Sequence, residues 1–324
     1  MIPALPQHHP ARLRDVDLLP GDQPLKPQPP LHRWRFSPGV RLLAFIAAGA
    51  VVLLGLNALA RIEPVAQYVA GHPWLVRITQ LLAAIAAYAA VLWVEQRRPV
   101  ELAPRRWVGL LWGMVLGAAL CSAVILVLWI AGAYRVVGVN ASYQVLPALI
   151  STGLTAGIAE ELAFRGLLLR LGEDLLGTWA AIAGTAAVFG VAHLTNPDAT
   201  GWGAVAIALE AGVLFGAVYV VTRSLWWCIG LHFAWNMMQG PVFGSVVSGS
   251  GSASGWLKAE FSGPAWLTGG PFGIEASAVS VALLTAVGVS LLVVAHRERL
   301  AVLPTWSRRS RLRAVVGAGA PDSH

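Results

Sequence analysis

The 324-residue chain is 56% hydrophobic and only 12% charged, with a mean hydropathy of +0.65, well outside the balance of a soluble domain. Its formal charge is +7, but no recognition module accompanies the basic segments, so a nucleic-acid partner is set aside. What remains is a polytopic membrane protein whose partner is the lipid bilayer.

The first 38 residues hold nine of the 20 prolines and no apolar run. Residues 1–40 therefore read as a disordered, Pro-rich cytoplasmic tail and not as a cleaved signal peptide, because the first apolar stretch starts late and is long enough to span. Eight apolar stretches of bilayer length follow, at 42–60, 78–94, 107–133, 145–171, 175–194, 202–222, 225–247 and 276–295. Rich in Ala, Leu and Gly and without alternation, they favour helices over barrel strands. The predicted fold class is all-α, a bundle of about eight transmembrane helices. It comprises N-terminal helices over 41–144, a core of four helices over 145–247, an outer loop over 248–275, the last helix over 276–295 and a basic tail over 296–324. The 240–275 segment, Ser- and Gly-rich at its centre, reads as a flexible or partly re-entrant loop.

Arginine sets the orientation. Arg33, Arg35 and Arg41 precede the first stretch, Arg97, Arg98, Arg105 and Arg106 lie between the second and third, and Arg297, Arg299, Arg308, Arg309, Arg311 and Arg313 follow the last. Those segments, and with them both termini, are expected in the cytoplasm, since the opposite loops carry only Arg61, Arg77, Arg135 and Lys258. Arginine outnumbers lysine 21 to 2, which suggests a GC-rich bacterial source and hence a bacterial inner membrane. Cys121 and Cys228 fall within apolar stretches and read as packing residues. Gly109, Gly113 and Gly117, Gly153 with Gly157, and Gly212 with Gly216 recur every four residues, a spacing that lets helices approach closely in lipid.

Three polar clusters interrupt the core stretches. An ionisable group in a bilayer costs at least ~2.5 kcal/mol, so such groups are expected to have a function. Glu161 and Arg165 are four residues apart on one helix face, while Glu160 is turned about 100° away, without a local partner and free to take a proton. The Glu161–Arg165 pair reads equally well as a buried ion pair that locks helices together. His193 lies one turn from Phe189, and His232 one turn from Asn236; convergent polar groups of this kind are more than packing histidines. Glu210, in the sixth stretch, could line a substrate path or make a packing hydrogen bond near Tyr219 and Arg223. At ~1.5 Å per residue from the cytoplasmic ends, His232 lies at roughly 10 Å, Glu160 at about 15 Å and His193 at about 20 Å, so tilt or a broken helix must bring them level.

Glu160-Glu161-Leu-Ala-Phe-Arg165, Phe189-Gly-Val-Ala-His193 and His232-Phe-Ala-Trp-Asn236, in that order, resemble the EExxxR, FxxxH and HxxxN signature of the CAAX-type intramembrane proteases, the CPBP or Abi family. The resemblance covers about 145–247, and three motifs in order at membrane depth are far more specific than any one alone. It implies hydrolysis of a peptide bond in a membrane-associated peptide or protein. Glu160 with His193 would activate a water, His232 with Asn236 would donate to the oxyanion, and Glu161 with Arg165 would orient the site.

Relatives are often labelled metalloproteases, and Glu160, His193 and His232 would be a legitimate zinc set with water as fourth ligand. The chain has no HExxH, however, and Asn236 is a poor zinc ligand, so the favoured reading has no cofactor. A secondary transporter using the same groups as a relay would predict pseudo-symmetry between halves, which the sequence lacks. A non-catalytic membrane scaffold is the remaining rival.

Overall fold

The computed structural model describes residues 37–72, 74–251 and 253–307. Most of the Pro-rich tail lies outside the described residues, as do Arg33, Arg35, Arg308, Arg309, Arg311, Arg313 and the rest of the basic tail beyond residue 307.

The chain is an integral membrane protein, a helical bundle. Among the described residues, seven helices are long and apolar enough to cross a membrane: α1 (Pro38–Leu59), α2 (Leu75–Glu95), α3 (Pro104–Ile130), α4 (Val145–Leu176), α5 (Thr178–Thr195), α6 (Gly201–Thr222) and α8 (Ala278–Arg297). The expected eighth stretch, 225–247, does form a helix. This helix, α7 (Leu225–Met237), continues as a π turn over Met238–Val242 but falls short of the apolar measure the other seven meet. His232, Asn236 and Gln239 dilute its hydropathy, and α7 is enclosed by its neighbours, so it need not present an apolar surface to lipid.

The glycine repeats do what their spacing implies. A Cβ at Gly109 would lie 2.5 Å from Trp227 Cδ1, and one at Gly113 or Gly117 would collide with the α7 backbone at Trp227 O or Leu231 O. From the other side, a Cβ at Gly230 would strike Leu110 O. α3 and α7 thus pack backbone to backbone. Gly153 and Gly157 receive Phe233, with distances of 2.8 Å to its Cε2 and 3.2 Å to its backbone N from the positions a Cβ would take. The helix bearing the glutamates is therefore pressed onto the helix bearing His232 and Asn236.

At one end of the bundle the buried charges form a network. Arg41, fully buried, bonds Asp174 at 2.8 Å and Glu95 at 3.3 Å. Glu95 also takes Arg97 at 2.6 Å and Arg170 at 2.9 Å, and Arg97 reaches Glu101 at 2.6 Å. Glu173 pairs with Arg223, and Arg106 donates to the Arg223 carbonyl at 2.7 Å. Several arginines read from sequence as orientation markers thus also join the ends of α1, α2, α4 and α6. The turn from α4 into α5 passes through Gly177 at φ +80°, where a Cβ would lie 2.8 Å from Val302 O, so only glycine fits there.

At the other end, the connections carry a small antiparallel pair, β1 (Tyr134–Val139) with β2 (Leu257–Phe261), bulged between Val136 and Gly138. The 240–275 segment, expected as a flexible or re-entrant loop, contains β2 and folds back over the bundle so that Ile274 and Glu275 are buried. Between the two ends lies an apolar core that includes Leu162, Leu169, Leu214, Val218, Leu225 and Cys228. Cys121 and Cys228 are buried free thiols.

Candidate active site

The site grows out of four helices, three of which depart from 3.6 residues per turn where they meet it. π-helical turns occur at Leu149–Thr155 and Leu162–Leu169 on either side of the glutamates, at Ala208–Gly212 in α6 and at Met238–Val242 after α7. Such turns are rare and cluster at functional sites, because they widen the helix and re-aim side chains. They flank the glutamates in α4 and follow His232 in α7, while α5, which carries His193, has none.

Glu161 is the fully buried hub. Its Oε1 accepts from Arg165 Nη1 at 2.9 Å and meets His232 Nδ1 at 2.9 Å. Arg165 in turn donates to the Ala211 carbonyl at 2.9 Å, in the π turn of α6, and its guanidinium lies 5.1 Å from the Phe189 ring centroid and 5.0 Å from that of Phe215. The expected Glu161–Arg165 pair is present, and it also holds the imidazole of another helix. With Nδ1–H given to a carboxylate, His232 is left with Nε2, which lies 4.0 Å from Glu160 Oε2.

Glu160 points the other way. Its side chain is 33% exposed, lines a cavity of about 520 Å³, and its Oε2 has no hydrogen-bond partner among the described residues. His193 lines the same cavity. Its Nδ1 is 2.7 Å from the Phe189 carbonyl, which can only accept, so Nδ1 carries the proton and Nε2 remains a lone-pair site. The Phe189 ring also packs on His193 with centroids 4.7 Å apart, as their spacing implied. Glu160 and His193 share the cavity without a hydrogen bond to each other. Asn236 gives one amide hydrogen to the Thr152 carbonyl at 3.1 Å and keeps the other on the cavity side. The structure thus gathers all six expected residues at one place: Glu160, His193, His232 and Asn236 on the cavity wall, Glu161 and Arg165 behind it.

Among the described residues no group of three His, Cys, Asp or Glu side chains is placed to hold a metal ion.

Two lining groups were not singled out in the sequence as site residues. Glu210 makes no bond to Tyr219 or Arg223, contrary to the packing alternative; Arg223 has gone to Glu173, and Glu210 faces the cavity. Glu275 reaches the cavity from the outer loop, accepting from Ser248 N at 2.6 Å, Ser248 Oγ at 3.1 Å, Gln239 Nε2 at 3.1 Å and Trp235 Nε1 at 3.3 Å. An acid at the edge of an apolar stretch carries no local signal of such an inward fold.

A search of curated proteins finds no match. Residues 142–238 match the family described as "Type II CAAX prenyl endopeptidase Rce1-like". That segment contains Glu160, Glu161, Arg165, His193, His232 and Asn236, and the match supports assignment to the CAAX protease (CPBP) family of membrane proteases.

Proposed function

We propose that this chain is an intramembrane endopeptidase that cleaves a membrane-associated peptide or protein with a water activated by Glu160 and His193. The observation that carries the reading is the contrast between neighbouring carboxylates: Glu161 is fully buried with its Oε1 held by Arg165 and His232, whereas Glu160 is partly exposed, lines the cavity and has no hydrogen bond at Oε2. A general base must reach its proton and must not already be neutralised. Glu160 meets both conditions. His193, with Nε2 as a lone-pair site, stands on the same cavity and can share the proton.

On the far side of the reacting carbonyl, the free amide hydrogen of Asn236 is a preorganised donor for the developing oxyanion. His232 stands beside it on the cavity wall, its Nδ1 held by Glu161 and its Nε2 left without a hydrogen bond. Glu161 and Arg165 act through His232: they fix its ring and leave Nε2 to the cavity. The proposed scheme routes no step through a metal. A bacterial inner membrane is the proposed location.

The test is cleavage of membrane peptides by purified protein. Glu160→Gln keeps size and hydrogen bonding but cannot take up the proton, so hydrolysis is expected to fall by at least ~10²-fold with the melting temperature unchanged. Activity comparable to wild type in that variant sinks the mechanism. In the same assay exhaustive chelation is expected to leave cleavage intact, and one zinc per chain with zinc-restorable activity would overturn the metal-free scheme.

A further inference from the structure

Charge pairing in this protein follows a pattern with two exceptions. The other buried acids, Glu95, Glu101, Glu161, Glu173 and Asp174, each sit on an arginine. Glu210 and Glu275 are equally buried, 1% and 3% exposed, yet neither has a cation among the described residues. Both line the cavity that holds Glu160.

The two are prepared differently. Glu275 is held in place by four neutral donors, which fix a carboxylate without cancelling its charge. Glu210 projects from the π turn of α6, and its Oε2 is buried with no hydrogen-bond partner among the described residues. A buried carboxylate without a partner is costly, and in this chain that cost has been avoided wherever an arginine could be supplied. The cavity itself brings little positive charge. Arg77 stands at its exposed rim, engaged with Gln80 at 3.1 Å, and Arg165 is committed to Glu161. Carboxylates in a low-dielectric pocket focus a field that draws in a cation.

Trp235 connects this wall to the reacting groups. It precedes Asn236 on α7, lines the cavity, and donates its indole N–H to Glu275. Its ring offers an apolar surface for the methylene stem of a long side chain whose charged end lies at the acids.

We propose that Glu210 and Glu275 form an acidic subsite that receives a lysine or arginine side chain of the peptide cleaved at Glu160. The proposal rests on the protease reading for the identity of the ligand, but its test is separable because binding can be measured without cleavage. The full chain carrying Glu160→Gln, purified in detergent, is titrated with Ala/Leu octapeptides in which a single lysine is walked along the sequence. A parallel series carries norleucine, which has the stem without the charge. At one or two adjacent positions lysine is expected to bind at least about tenfold tighter than norleucine, and in the Glu160→Gln/Glu210→Gln double variant that ratio is expected to fall to near one. Equal affinity at every position, or a ratio that survives Glu210→Gln in protein of unchanged melting temperature, overturns the proposal. If Glu210→Gln does not fold, comparison of lysine with acetyl-lysine peptides on the Glu160→Gln chain decides: a charge preference supports the subsite and its absence overturns it. A wild-type chain that prefers lysine peptides but cleaves none sinks the protease reading and leaves the subsite standing. Cleavage without any preference does the reverse.

Discussion

Arg165 shows how much one side chain can hold in a membrane interior. It neutralises Glu161, caps carbonyls in the π turn of α6, and through Glu161 fixes the ring of His232. Removing it leaves a fully buried carboxylate with only the imidazole beside it, so Arg165→Ala is expected to cost about 3 kcal/mol or more and to lower the melting temperature in detergent together with activity. An inactive variant as stable as wild type would place Arg165 in the chemistry itself. Glu101 allows a test of a different kind, outside the membrane-spanning helices. Burial pushes its carboxyl up, but Arg97 and Arg170 outweigh burial and hold it at about 2 against an ordinary 4.5. A carboxyl depressed on folding stabilises the protein above its unfolded value and loses that contribution as pH falls toward the folded one. The melting-temperature difference between wild type and Glu101→Gln is therefore expected to be full above pH 4.5 and to shrink as pH falls toward 2. A difference that does not vary with pH would show that the Arg97 pairing does not stabilise the fold.

At the scale of elements, the sequence disclosed what rests on periodicity and left obscure what depends on its interruption. The apolar stretches, the small-residue faces and the Glu161–Arg165 turn were legible because each follows from helical spacing. The π turns were not, since an inserted residue leaves no trace in composition, and with them went the route by which Glu160 and His232 come within 4.0 Å. Glu275 was hidden for a related reason: its burial is decided by the return of the 240–275 segment over the bundle. Arg41 read as a charge that marks a side of the membrane, when its fully buried side chain is also an ion-pair partner of Glu95 and Asp174. The α3–α7 contact supplies the prediction for this scale. Gly113→Ala places a methyl against the Trp227 carbonyl, backbone that cannot swing aside, whereas Gly55→Ala in α1 meets nothing within 4 Å. The first is expected to destabilise by about 1–3 kcal/mol and the second to be neutral, read as melting temperatures in the same detergent. Equal effects would mean that α3 and α7 do not touch at Gly113.

For the whole molecule, the cavity and the ion network lie at opposite ends. Arg77, Asn196, Ser248 and Ser250 line the cavity on the side of the strand pair, while Arg41, Arg97, Arg170 and Arg223 are paired at the other end. Arginine asymmetry assigns the network end to the cytoplasm, so the cavity is expected to open outward. With both native cysteines buried, the assignment can be read by labelling single cysteines in intact cells with a membrane-impermeant maleimide. Ser250→Cys is expected to react and Arg98→Cys, between α2 and α3, to stay unlabelled until the membrane is opened. The reverse pattern would turn the molecule over.

That separation of ends also bears on the membrane as an electrical barrier. A water-accessible pocket sunk to mid-depth halves the distance that ions must cross, and a hydrolase that leaked would dissipate the gradients around it. Here Phe215, Glu160 and His232 are among the residues that line the pocket. Below it come the apolar side chains of Leu162, Leu169, Val218, Leu225 and Cys228, and below those an arginine–carboxylate lattice whose charges are already mutually satisfied. Behind His232, Glu161 and Arg165 a proton thus meets a layer of mainly apolar side chains before it reaches the lattice. The arrangement is that of a blind well: it admits water for chemistry from one side while the floor stays insulating.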